Sequence, residues 1–74
     1  MAPSIQVQLG NRVRALRKEQ SLTQEDLAER SGLHVTYLSG IENGSRNPSL
    51  TAIAALAKGF GKTVAELLEG IADA

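Results

Sequence analysis

Apolar residues recur every three or four positions along this chain, and capping residues and glycines separate the runs. That period belongs to helices, and no stretch alternates as a strand would. Ile5, Leu9, Val13 and Leu16 mark a first helix over about residues 5–19, broken at Ser21-Leu22. Thr23 followed by Asp26 is close to a capping box, and opens a second helix through Leu27 and Ala28 to Ser31. Gly32 can then take the left-handed turn conformation. A third helix is expected from His34 to Asn43, ended by Gly44, with Ser45-Arg46-Asn47-Pro48 as a polar loop. Ser49 caps a fourth helix whose stripe is Leu50, Ile53, Ala54 and Ala57. Gly59 and Gly61 bracket Phe60, and Thr63 with Glu66 opens a last helix bearing Val64, Leu67, Leu68 and Ile71. The expected fold class is all-α: one compact bundle of five short helices over residues 1–74.

Composition narrows the function classes. Seventy-four residues leave room for one domain with a modest core. Cysteine is absent, which excludes disulfides and thiolate metal sites, and a single histidine leaves little for zinc. No cofactor or metal is therefore expected. Met1–Gly10 has neither the basic start nor the apolar run of a signal peptide, and no stretch is long enough to cross a bilayer. A cytoplasmic protein without a membrane partner is the expectation. There is no phosphate loop, no strained nucleophile turn and no second histidine for a proton relay, so an enzyme is not expected. Glu25 and Asp26 are neighbours that diverge on a helix. Eight Lys and Arg balance eight Asp and Glu, so distribution matters more than the total. Arg12, Arg14, Arg17 and Lys18 cluster early, with Arg46 alone in the loop. Acids gather at Glu25, Asp26 and Glu29, and again at Glu66, Glu69 and Asp73. Such a surface can be basic on one side only.

The two short helices joined at Gly32 describe a helix-turn-helix between Thr23 and Asn43. Small Ala28 allows a close crossing, and Leu27, Leu33, Leu38 and Ile41 are apolar where two crossing helices share a core. The run TQEDLAERSGLHVTYLSGIENGSRNPSL resembles the Cro/repressor-type helix-turn-helix family, the xenobiotic-response-element class with a lambda-repressor-like DNA-binding domain. It is also similar to the short controller proteins of restriction-modification systems. The resemblance extends from about Leu9 to Leu68, and rests on the combination of Thr-Gln, Leu-Ala, the turn glycine and Gly-Ile-Glu-Asn-Gly.

The resemblance implies a transcriptional regulator that binds specific double-stranded DNA as a homodimer on a palindromic operator, without a small-molecule effector. It places Gln24 on a phosphate and makes the third helix the reading helix. Leu38, Ile41 and Glu42 would face inward, and Thr36, Ser39, Gly40 and Asn43 outward. His34, Val35, Thr36 and Tyr37 stand at the end that approaches bases, and Ser45, Arg46 and Asn47 where the sugar-phosphate backbone is held. Each position also has a plainer role. Gln24 and Thr36 suit a solvated surface, Gly40 suits close helix packing, Tyr37 suits a ring resting on the domain, and His34 suits a helix start. The basic residues Arg12, Arg14 and Lys18 suit a solvated face. Val35 departs from the long polar side chain common there; it cannot hydrogen-bond a base, though it can touch a thymine methyl. The family also places an ion pair at Arg17 and Glu42 as a fold element. Phe60, Val64, Leu68 and Ile71 in the segment 63–71 are the expected dimer interface: Leu68 and Ile71 meet the partner, Val64 and Leu67 can also fill the monomer core, and Phe60 can join either set; the plainer role is that all five close the domain. The alternative function is a helix-turn-helix-fold interaction module, or antitoxin-like partner, in a larger complex.

Overall fold

The computed structural model describes residues 3–72, and Asp73 of the expected acidic cluster lies outside them. Within that range the chain forms α1 (Ile5–Glu19), α2 (Gln24–Ser31), α3 (Val35–Glu42), α4 (Leu50–Phe60) and α5 (Val64–Leu67), and no strand. Four helices open on a hydroxyl that accepts a free backbone N–H. Ser4 serves Val7, Thr23 serves Asp26, Ser49 serves Ala52 and Thr63 serves Glu66, at 3.0–3.2 Å. Asp26 and Glu66 return the bond to the N–H groups of Thr23 and Thr63, at 2.9 and 2.8 Å, completing two capping boxes. Between α2 and α3, Gly32 stands at φ 75°, where any side chain would strain the turn.

Two boundaries differ from the sequence expectation. The third helix is shorter by one residue at each end, because His34 and Asn43 are its caps. The last is a single turn, not a helix to Ile71. Leu68 caps it, Gly70 turns the chain at φ 83°, and the Ile71 N–H donates to the Leu68 carbonyl at 3.0 Å.

One core joins all five helices: Leu9, Val13, Leu16, Leu22, Leu27, Leu38, Ile41, Leu56, Ala57, Phe60 and Leu67. Leu33 and Val64 are half-buried against it. In α4 the buried face is Ala52, Leu56, Ala57 and Phe60, while Leu50 is 73% exposed and Ala54 is exposed. Of the expected stripe, Ala57 is buried and Ile53 packs against the core while Leu50 and Ala54 lie outside, since this helix is apolar on two faces and only one meets the core. Phe60 is 5% exposed, so its ring fills the monomer and offers little to a partner.

Glu42 is the one buried charge among the described residues, at 2% exposure. Arg17 approaches it in a fork, Nε to Oε2 at 2.7 Å and Nη2 to Oε1 at 3.0 Å. Gln24 donates its amide to Oε1 at 3.2 Å, and Arg14 Nε stands 3.6 Å from the same oxygen. Burial pushes the Glu42 carboxyl up, but the Arg17 and Gln24 hydrogen bonds and the two arginine charges outweigh it and hold the group below its ordinary range. Hydrogen bonds from the Thr23 and Thr63 backbone and hydroxyls likewise lower Asp26 and Glu66.

Arg17→Met strands a buried carboxylate and is expected to cost about 3–5 kcal/mol. At about 4–8 °C per kcal/mol for a domain this small, the melting temperature should drop by more than about 10 °C. Adding Glu42→Leu should recover part of that loss; a calorimetric melt of Arg17→Met matching wild type would exclude the pair as a stabilising element. Because Glu42, Asp26 and Glu66 all have depressed folded values, their contribution is complete above the ordinary carboxylate range, and is lost as pH falls through the folded values. Thermal melts should therefore show stability declining below about pH 4.5, less steeply in Glu42→Gln.

Candidate nucleic-acid interface

The helix-turn-helix places α3 across the front of the molecule, with its inward side clamped. A Cβ on Gly10 would lie 2.5 Å from the carbonyl oxygens of Ile41 and Glu42, so α1 runs directly against the end of α3. Arg14 Nη2 donates to the Glu42 carbonyl at 3.3 Å, closing the same contact. Leu38 and Ile41 are buried behind α3. What remains in front is a shallow concavity of about 480 Å³ lined by Gln24, Val35, Thr36, Ser39, Gly40, Asn43, Ser45 and Arg46.

Eight of the eleven residues singled out for DNA from sequence thus share one surface. Thr36, Asn43, Ser45 and Arg46 are exposed, Ser39 and Gln24 are half-buried, and Val35 is 37% exposed. His34 is exposed at the start of α3 and lines a neighbouring depression with Glu25, Glu29 and Gly32. Its side chain makes no cap, so α3 is the one helix whose first N–H groups have no side-chain acceptor. Free N–H groups at a helix start attract anions such as phosphate. Asn47 is not with the group; it lines the apolar groove behind the loop together with Pro48.

The loop after α3 is held in place by its own polar groups. The Gly40 carbonyl accepts from the N–H groups of Ser45 and Arg46, at 3.0 and 3.2 Å, and from the Ser45 hydroxyl at 3.3 Å. Asn43 Oδ1 accepts from the Ser45 N–H at 3.0 Å. This folds Arg46 back over α3, where its stem covers Gly40 and its guanidinium sits 5.9 Å from the centre of the Tyr37 ring. Gly40 is buried under Arg46, and a Cβ there would collide with Arg46 Cγ. Its missing side chain therefore makes room for the loop rather than for another helix.

Two basic residues read as solvated do more. Arg12 donates to the carbonyls of Leu67 at 3.0 Å and Glu66 at 2.9 Å, closing α5 onto α1, and Arg14 holds the end of α3. Gln8 pins the tail, exchanging hydrogen bonds with Ala72 at 2.9 and 3.0 Å. Neither Arg contact leaves a periodic signal, because the acceptors are backbone carbonyls far along the chain. A separate apolar groove of about 260 Å³ is lined by Ile5, Leu9, Pro48, Ile53, Leu68 and Ile71. Leu68 and Ile71 are half-buried. Among the described residues, no group of acids and His could hold a metal, and no helix is long and apolar enough to cross a membrane.

Gly40→Ala should preserve the helix, alanine being the better helix former by about 1 kcal/mol, yet dislodge Arg46 from Tyr37. Amide shifts confined to residues 44–47 with altered Tyr37 ring resonances are expected by NMR; unchanged loop shifts would refute the packing role.

Comparison with known proteins agrees with this architecture. A family model described as helix-turn-helix matches residues 13–67. The restriction-modification controller protein C.AhdI from Aeromonas hydrophila is 44% identical, with a TM-score of 0.81 over 84% of this chain and 94% of its own. Control protein C.MunI from a Mycoplasma species is 43% identical over 68 residues, 90% of this chain and 92% of that protein. The HTH-type transcriptional regulator DdrOP3 of Deinococcus deserti is 43% identical over 65 residues, and there the match covers 88% of this chain and half of the relative.

Proposed function

The chain belongs to the helix-turn-helix family, and from that membership and the surface in front of α3 we propose that it is a transcriptional regulator binding specific sites in double-stranded DNA. The observation that carries the reading is the shared concavity. One short helix and its cap present Val35, Thr36, Ser39 and Asn43, flanked by Gln24 and Arg46, to which we assign phosphate contacts. The relatives' names point the same way: one is a restriction-modification controller protein, one a control protein and one an HTH-type transcriptional regulator. A role without catalysis follows, in the cytoplasm where the DNA is.

The working unit in this proposal is a symmetric homodimer. A single helix touches too few base pairs to select a site among genomic competitors. In this reading the apolar groove lined by Ile5, Ile53, Leu68 and Ile71 receives the second copy, with exposed Leu50 and Ala54 of α4 added to the expected surface. Val64 contributes at the margin, and Phe60 stays inside. Paired reading helices would then sit about 34–36 Å apart and address half-sites one DNA turn apart.

Selection from random duplexes should return a palindromic site. Arg46→Ala and Gln24→Ala should weaken binding to that site and to random DNA alike, and Arg46→Ala should flatten the salt slope by about one counterion. Thr36→Ala should instead change the preferred sequence. Indifference to all three in a binding assay would favour the interaction-module reading. Leu50→Glu should cost little stability, since the side chain is already solvated, and yield folded monomers with weaker operator binding. Unaltered sedimentation of that variant as a dimer would remove this surface from the interface.

A further inference from the structure

Val35 is anomalous for its position. It is one of four large aliphatic side chains exposed among the described residues, and the other three, Ile5, Val7 and Leu50, lie outside the concavity in front of α3. Every other side chain lining that concavity is polar, and Gly40 has none. Val35 opens α3, at the end of a reading helix that enters the major groove. A β-branched residue is no better than average at forming a helix, so local propensity gives no reason for it.

The major groove offers a valine one methyl partner. Base edges there are hydrogen-bond donors and acceptors, apart from the C5-methyl group of thymine and the smaller C5–H of cytosine. A valine pressed against a donor or acceptor would leave it dehydrated and unpaired, which is unfavourable, and the methyl buries the most apolar surface. Ser39 lies one helical turn from Val35 on the same stripe, and Thr36 is adjacent, so the methyl contact would be bordered by hydroxyls that hydrogen-bond neighbouring edges. We propose that Val35 is a specificity-determining residue that recognises a thymine methyl in each half-site, an assignment that rests on the DNA-binding function proposed above.

The test uses the duplex that the wild-type chain selects from random sequence, with each thymine replaced in turn by deoxyuridine, which removes only the methyl. At one thymine per half-site the replacement should weaken wild-type binding about four-fold, the value of one buried methyl. Val35→Ala should bind the thymine and deoxyuridine duplexes alike at that position, while responding normally elsewhere. Val35→Thr, of the same shape, should fold as wild type and keep part of the discrimination. A wild-type chain indifferent to deoxyuridine at every thymine, or a penalty undiminished in Val35→Ala, would overturn the contact while leaving DNA binding intact. Absence of salt-dependent binding to any duplex would overturn the DNA reading and this assignment together.

Discussion

A buried carboxylate must be surrounded by donors, and this requirement fixes the geometry of the protein. Glu42 sits at the end of α3 with 2% of its surface exposed. Its oxygens collect the Arg17 fork and Arg14 from α1, and the Gln24 amide from the start of α2. No buried side-chain polar atom among the described residues is left unpaired. Apolar packing alone would let α3 slide or rotate at modest cost, because hydrophobic contact is non-directional. Hydrogen bonds to a desolvated charge are directional, and breaking them leaves the charge stranded. The face that α3 turns outward is therefore set from behind.

The same logic reaches the loop by a second route. Gly10 allows α1 to touch the last carbonyls of α3, which fixes where the helix stops and where the chain turns. The Gly40 carbonyl then gathers Ser45 and Arg46, and the absence of a side chain on Gly40 lets Arg46 lie flat between the helix and Tyr37. A cation on a flexible stem loses much of its freedom when it pairs with a phosphate. In the proposed complex Arg46 is already held against Gly40 and Tyr37, so part of that entropic cost would fall on folding rather than on binding. A chain of zero net charge can thus still present an ordered cation beside short polar side chains.

Local chemistry was legible in the sequence, and long-range placement only in part. Thr23, Ser49 and Thr63 mark helix starts because a cap involves residues three apart, and Gly32 marks the turn because few residues tolerate its conformation. The inward side of α3 follows from its period, since Leu38, Ile41 and Glu42 share a face. The contact of Arg17 with Glu42 is legible only through resemblance, as no spacing rule links residues in separate helices. The stripe expected on α4 is right for Ile53 and Ala57 and wrong for Leu50 and Ala54, because apolar residues on both sides satisfy the same period; which side meets the core is a tertiary fact. Arg12 and Arg14 carry no pattern at all, because their partners are carbonyls that every residue possesses. Resemblance groups Asn47 with Ser45 and Arg46, whereas in the fold Asn47 lines the separate apolar groove, a placement no local pattern encodes.

In the proposed dimer the apolar groove and the polar face depend on each other. Short side chains such as Thr36, Ser39 and Asn43 reach a base edge only if the backbone of α3 comes very close, and an eight-residue helix can do so over few base pairs. Specificity from one copy is then limited to a few contacts worth about 1–3 kcal/mol each. Joining two copies rigidly doubles the contacts without making either helix longer, and it converts the second contact into an intramolecular one. Rigidity is the condition, because a loose pair would not hold its helices at one helical repeat. The floor of the groove meets it: Leu68 and Ile71 rest on the core, the tail is pinned by Gln8, and α5 is held by Arg12. Side chains of α1 therefore hold both regions: Arg14 and Arg17 clamp α3, and Gln8 and Arg12 hold the tail and α5.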